Sequence, residues 1–233
     1  ALPTDEQDRF TPETLPPDLA DACLVLTAGT TSAGVIDPLE FAGRAAWTHV
    51  DAAWAGPLRL SDQHAAVLQG IENADSISVS AHKWFFQPKE SALIFFRNTA
   101  EADPAISFGG AYLAVPNIGL LGSHGAVAVP LLATLLAWGR TGLAERIDRA
   151  MAVAQLLHER LSAHPKIEVF GPATTGVVLW KLATPEATTE VFERLPKGSI
   201  SMTRLHDEAW LRNVAANPVV QFEALWKAIL SVL

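Results

Sequence analysis

Two side chains stand at matching places in the sequence. Asp51 closes the run Trp47-Thr48-His49-Val50-Asp51, and Lys83 follows Asp75-Ser76-Ile77-Ser78-Val79-Ser80-Ala81-His82. Each run is apolar with β-branched residues, so each reads as a strand that delivers a charged residue near its C-terminal end. Ligands of open α/β sheets sit outside those carboxyl ends, so the amine and the carboxylate would face one crevice. An amine held among apolar groups loses proton affinity through desolvation and becomes a nucleophile toward a carbonyl, able to form a Schiff base. A carboxylate opposite it pairs with a protonated ring nitrogen and keeps that ring an electron sink. Ala52 and Ala53, small residues just after the acid, leave room for a planar ring. His82, beside Lys83, suits contact with a phosphate or a substrate carboxylate.

Each of these residues also has an ordinary reading. Most lysines are solvated surface groups, an aspartate in this place is as often a helix cap, and His82 is equally a half-buried histidine. His49 lies two residues before Asp51 and raises a His-x-Asp metal pair, but no third or fourth ligand has matching spacing, so no metal is expected. No Gly-x-Ser-x-Gly, Walker loop or Gly-x-Gly-x-x-Gly occurs. Serine-elbow acyl transfer and nucleotide binding therefore lose their usual support.

The elements that must position this pair read as an α/β chain. Residues 22–26 are continuously apolar, as in a strand buried on both faces. They run into the small-residue loop 27–34, which holds Thr30 and Thr31 and lets backbone approach a ligand closely. Asp37-Pro38-Leu39-Glu40 reads as a helix start with Asp37 as N-cap, the helix ending between Gly43 and Ala46. Residues 62–70 predict a second short helix, 77–80 a strand and 91–97 a further buried strand. Strands alternating with short helices argue for parallel βαβ units. Residues 99–123, rich in glycine and proline, read as a long loop. Residues 126–139 predict a helix apolar nearly all round, with Pro130 marking its start or a kink.

From Thr141 the pattern turns amphipathic, with Leu143, Ile147, Ala150, Met151, Ala154, Leu157 and Leu161 on one face. This reads as a linker helix into a second domain. Strands over 167–170 and 176–181, a helix over 185–195, strands over 199–204 and 209–214, and a helix over 219–232 predict a small α+β unit.

Composition narrows the class. At 233 residues and 49% hydrophobic content the chain can bury a sizeable core. No uninterrupted apolar run reaches the roughly 18 residues of a membrane span, and the N-terminus lacks the basic start of a signal peptide. The polar, proline-rich first twenty residues read as a connector, with something expected before it. One cysteine, Cys23, excludes an intramolecular disulfide and suits a cytoplasmic enzyme. A net charge of −8 argues against nucleic acid as a partner.

Five stretches, in order, resemble the group II pyridoxal-phosphate-dependent amino acid decarboxylases, a family that includes aromatic L-amino acid, glutamate and diaminobutyrate decarboxylases. They are Thr27-Ala28-Gly29-Thr30-Thr31, Asp37-Pro38, His49-Val50-Asp51-Ala52-Ala53-Trp54-Ala55-Gly56, Gly70-Ile71-Glu72-Asn73-Ala74-Asp75-Ser76 and His82-Lys83-Trp84. A looser likeness runs through Leu211-Arg212-Asn213-Val214-Ala215-Ala216-Asn217-Pro218. The resemblance implies the aspartate-aminotransferase-like, fold type I arrangement. Residues 1–140 would be part of the large cofactor-binding domain, and 141–233 the linker helix and small C-terminal domain. It implies pyridoxal 5'-phosphate as cofactor and an L-amino acid as substrate, decarboxylated to an amine. Lys83 would be the Schiff-base lysine, Asp51 the partner of the pyridine nitrogen, and Ala53 a residue packed on the ring. His82 and Ser80 would face the phosphate side, Ser80 standing where asparagine is common, and Thr30 and Thr31 the cofactor or the substrate carboxylate.

The resemblance covers about the second half of such an enzyme. The family's phosphate cradle and ring-stacking histidine belong to the other half, which implies a second polypeptide and dimerisation of the assembled unit. The stretch from Phe108 to Gly122 resembles a shortened form of the family's mobile loop. Its one tyrosine, Tyr112, matches a structural Tyr-Leu pair and not the proton donor, and His124 stands where arginine is usual. An oxidative deaminase, an aldehyde-forming enzyme or a carbon–carbon bond-forming relative is thus the alternative. A non-catalytic scaffold is a third reading, against which Lys83 and Asp51 both speak.

Overall fold

In the computed structural model, residues 2–108, 117–118, 126 and 128–233 are described. Parallel strands β1 (Cys23–Thr27), β2 (Trp47–Asp51) and β3 (Ser76–Ser80) lie side by side, with β4 (Ala92–Phe96) antiparallel on the outer edge of β3. Period-two alternation sends Leu24, Leu26, Thr48, Val50 and Val79 into the core. The register sets Thr27 beside Asp51 and Asp51 beside Ser78, so β1 and β2 finish level and β3 runs two residues further.

The parallel order agrees with the alternation read from the sequence, but two details differ. β1 is covered on one face only, for Val25 is 57% exposed and Cys23 is exposed. β4, also expected to be buried, leaves Ile94 and Phe95 each 51% exposed. A continuous apolar run fixes a strand's hydrophobicity and not which of its faces finds a neighbour.

The crossovers are shorter than expected. In place of helices after Asp37 and Asp62 stand single 3-10 turns, Leu39–Phe41 and Ala65–Leu68. Asp37 is not a helix cap. Its carboxylate accepts the N–H groups of Phe10 (3.1 Å) and Thr27 (2.7 Å), binding the N-terminal segment to the end of β1. Phe10 is accordingly core, packed edge-on against Phe41, so the first residues are more than a connector.

Within the expected loop 99–123 a helix forms, α1 (Thr99–Ile106), its first turn capped by the Asn98 side chain accepting from Ala100. Two short strands, β5 (Ser107–Phe108) and β6 (Asn117–Ile118), pair antiparallel beyond it. The rest of that stretch, with Tyr112 and His124, lies outside the described residues.

Helix α2 (Ala128–Ser162) is one run broken at Gly139, whose φ of 58° and ψ of −169° only glycine adopts readily. Before the break, Val129, Leu132, Leu135 and Leu136 are exposed while Leu131 is buried, so this segment is not enclosed all round. After it, the seven apolar positions from Leu143 to Leu161 are all buried.

The C-terminal part is an antiparallel sheet of β7 (Ile167–Phe170), β8 (Val177–Leu182), β9 (Ser201–Leu205) and β10 (Glu208–Val214), ordered β7-β8-β10-β9. Alternation splits its side chains. Val178, Trp180 and Leu211 pack under α2, α3 (Pro185–Arg194) and α4 (Phe222–Leu230), whereas Val177, Leu179 and Trp210 join the core around β1–β3. Three hydrogen bonds lock the two sheets together. The Trp54 indole donates to Thr175 O (2.8 Å), Thr175 Oγ1 to Gly34 O (2.5 Å), and Thr203 Oγ1 to Ser32 Oγ (3.1 Å). Among the described residues no helix is long and apolar enough to cross a membrane.

Candidate active site

Asp51 ends β2 at an exposed position, its Oδ1 accepting the Ala53 N–H at 3.0 Å and facing the Ser78 hydroxyl at 3.5 Å. Lys83 lies in the turn that follows β3. Its N–H reaches Ser80 O (3.3 Å), and Phe86 N–H closes back on Lys83 O (3.1 Å). Trp84 and Phe85 are buried and anchor this turn, Trp84 meeting Trp54 edge-on at 5.2 Å. Two apolar anchors thus hold a half-buried amine in place.

Burial lowers the Lys83 pKa below its ordinary value. The Asp51 carboxylate opposes that shift and the Arg212 guanidinium adds to it. The Lys83 amine, in the turn after β3, thus feels both the carboxylate at the end of β2 and the guanidinium of β10. Arg212 is itself half-buried, which pushes its own pKa down, and its Nε is buried with no hydrogen-bond partner among the described residues. A buried donor left without an acceptor costs about 1–3 kcal/mol, so an incoming anion has a place to bind.

Arg212 belongs to the looser C-terminal motif but was given no role from the sequence. The signal was the alternation in β10, where Arg212 shares the face of Trp210, a core residue on the β1–β3 side. The other expected residues divide. His82 is half-buried beside Lys83, with Nδ1 buried and unpartnered among the described residues. Ser80 ends β3, its N–H on Ala53 O at 3.3 Å, which draws Ala53 and Ser80 to the same edge. Thr30 Oγ1 accepts the Val35 N–H (3.1 Å) and closes its own loop, and Thr31 is exposed. Among the described residues no hydrogen bond joins either threonine to Asp51 or Lys83.

His49 binds Ser76 and Ser78, and among the described residues no group of three His, Cys, Asp or Glu is placed to hold a metal ion. A cavity of about 780 Å3 opens between α2, β10 and α4, lined in part by Val153, Leu157, Val178 and Leu225. Arg212 is among its lining residues, and neither Lys83 nor Asp51 is.

An amine of lowered proton affinity, set at the carboxyl edge of a parallel sheet with a carboxylate from the next strand, is the arrangement of fold type I pyridoxal-phosphate-dependent enzymes. Comparison with known proteins agrees. Residues 19–183 match the pyridoxal-dependent decarboxylase conserved domain. The chain is 26% identical over 238 residues to aromatic-L-amino-acid decarboxylase of Bacillus atrophaeus, covering 90% of this chain and 50% of that protein. It is 33% identical over 173 residues to L-2,4-diaminobutyrate decarboxylase of Rhizobium meliloti (strain 1021), covering 68% of this chain and 35% of that one. A crystal structure of mouse CSAD in apo form superposes with a TM-score of 0.83 at 23% identity, over 99% of this chain and 57% of the mouse chain. The chain belongs to the pyridoxal-dependent decarboxylase family, and spans about half the length of the relatives it matches.

Proposed function

We propose that this chain carries the lysine-bearing part of the active site of a pyridoxal-phosphate-dependent L-amino acid decarboxylase, a carboxy-lyase releasing carbon dioxide and an amine. The observation that carries the reading is the half-buried Lys83 amine in the turn after β3, its pKa lowered by burial and acted on by the charges of Asp51 and Arg212. The residues present fit the cofactor. Lys83 would supply a half-buried amine for covalent attachment, Asp51 would hold a proton on the ring nitrogen, and Ala53 would leave room for the ring. His82 Nδ1, buried and unpartnered, and Ser80 face the phosphate side, with Thr30 and Thr31 toward the cofactor or the substrate carboxylate. Arg212 Nε donates to a carboxylate of the substrate. When bound, pyridoxal phosphate supplies a ring that accepts the electron pair left at the α-carbon as carbon dioxide departs.

Residues 1–140 are, in this reading, part of the large cofactor-binding domain, and 141–233 the linker helix and small C-terminal domain. A second polypeptide carries the complementary half, the assembled unit dimerises, and its location is cytoplasmic. The open face of β1 and β4, with Val25 and Ile94 exposed near Asp51, supports a covering partner. Native mass spectrometry showing this chain cofactor-loaded and stable alone would refute the second polypeptide.

The function is tested on the unit assembled with the complementary half, by borohydride reduction with pyridoxal phosphate followed by peptide mass spectrometry. Label on Lys83, lost in Lys83→Ala together with the visible absorbance of lysine-bound pyridoxal, is expected. Absorbance that survives in the variant overturns the assignment and favours the scaffold. With amino acids supplied, an amine product is expected, and an aldehyde product would select the alternative chemistry.

A further inference from the structure

His49 stands beside the site without a part in the chemistry above. Trp47, His49 and Asp51 occupy alternate positions of β2 and so share one face. The parallel register sets His49 beside Ser76 and Asp51 beside Ser78 on β3. Four hydrogen bonds join these side chains in a file: Trp47 Nε1 to Ser76 Oγ (3.0 Å), Ser76 Oγ to His49 Nδ1 (2.8 Å), His49 Nε2 to Ser78 Oγ (3.3 Å), and Ser78 Oγ to Asp51 Oδ1 (3.5 Å).

The carboxylate end of the file fixes its direction. An ionised carboxylate can only accept, so Ser78 gives it its one hydroxyl proton and has only lone pairs left for His49 Nε2. That ring nitrogen therefore carries the proton and donates to Ser78 Oγ, which leaves Nδ1 of the neutral imidazole to accept the Ser76 hydroxyl. The Trp47 indole N–H can only donate, and it takes one of the two lone pairs of Ser76 Oγ. A serine–histidine pair without such an end could run either way. Asp51 Oδ1 thus collects two donors, Ala53 N–H and the Ser78 hydroxyl, while Oδ2 has no partner among the described residues.

We propose that Ser76, His49 and Ser78 are positioning residues that hold the Asp51 carboxylate with one oxygen tied back and the other free to meet the cofactor's ring nitrogen. This rests on the assignment of Asp51 as partner of that nitrogen. The file itself consists of this chain's own side chains and is present without a cofactor.

The chain labelled with 15N in histidine reports the tautomer by long-range proton–nitrogen correlation, the His49 signal being assigned by its loss in His49→Gln. The Nε2–H form is expected to dominate. Ser76→Ala should lower the ratio of Nε2–H to Nδ1–H about fivefold, roughly what one neutral hydrogen bond is worth. Ser76→Thr, which keeps the hydroxyl, should restore it. At the far end, Ser78→Ala should shift the Asp51 carboxylate 13C signal and Ser78→Thr return it. A dominant Nδ1–H form, a ratio indifferent to Ser76→Ala, or an Asp51 signal unmoved by Ser78→Ala would overturn the file. Failure of the cofactor to label Lys83, with the tautomer pattern as expected, would instead sink the proposed function and spare the file.

Discussion

At the residue scale the site is governed by what surrounds one amine. Desolvation is the largest cause lowering the Lys83 pKa, with Arg212 adding to it and Asp51 opposing. The folded amine therefore gives up its proton below the ordinary 10.5, while in the unfolded chain it does so near that value. Between those two points the unfolded state binds the extra proton, so stability rises with pH and the burden of the charge is greatest below the folded pKa. Lys83→Met should raise the urea midpoint of the cofactor-free chain at neutral pH, with the gain fading as pH climbs toward 10.5. A gain independent of pH would reject the charge as its cause. Replacing Arg212 by Gln removes a repelling charge, so the pH at which Lys83 becomes half-reactive should move up. Asp51→Asn should move it down. Labelling of Lys83 followed by mass spectrometry across pH checks both signs.

At the scale of elements, α2 shows what periodicity reveals and what it leaves out. Beyond Gly139 the apolar residues recur at helical spacing, and every one of the seven lies in the interior. Before Gly139 apolar residues occupy all sides, and no period was available to say that Leu131 points inward while Leu136 is 78% exposed. Leu143→Ala should cost about 2–5 kcal/mol, whereas Leu136→Ala should stay within about 0.5 kcal/mol. Urea denaturation measures both, and equal costs would mean that α2 does not present these faces. The crossovers teach the same lesson. Asp37-Pro38-Leu39-Glu40 has the composition of a helix start, yet the Asp37 carboxylate binds Phe10 and Thr27 instead. A cap competes with every distant amide the fold brings near, and sequence spacing does not record them.

At the scale of the whole molecule, the Arg212 charge acts on Lys83 only because the C-terminal sheet docks against the first. The Trp54 indole on Thr175 O is one buried link in that docking. Trp54→Phe should leave the carbonyl unpaired, cost about 1–3 kcal/mol, and raise the pH of half-reaction at Lys83 as Arg212 draws away. A melting temperature that falls with no change in the Lys83 profile would show that docking and site are independent.

The sequence by itself determined the eight strands of the two four-stranded sheets, the amphipathic half of α2, and the places of Asp51 and Lys83 at or just beyond strand ends. Each of these depends on residues close in the chain, or on motifs of fixed spacing. Only the tertiary structure decided which face of β1 and β4 is covered, where the Asp37 carboxylate binds, and that Arg212 joins the site. Those outcomes depend on contacts between segments far apart in the chain, where burial and desolvation are set by whichever surface arrives from elsewhere.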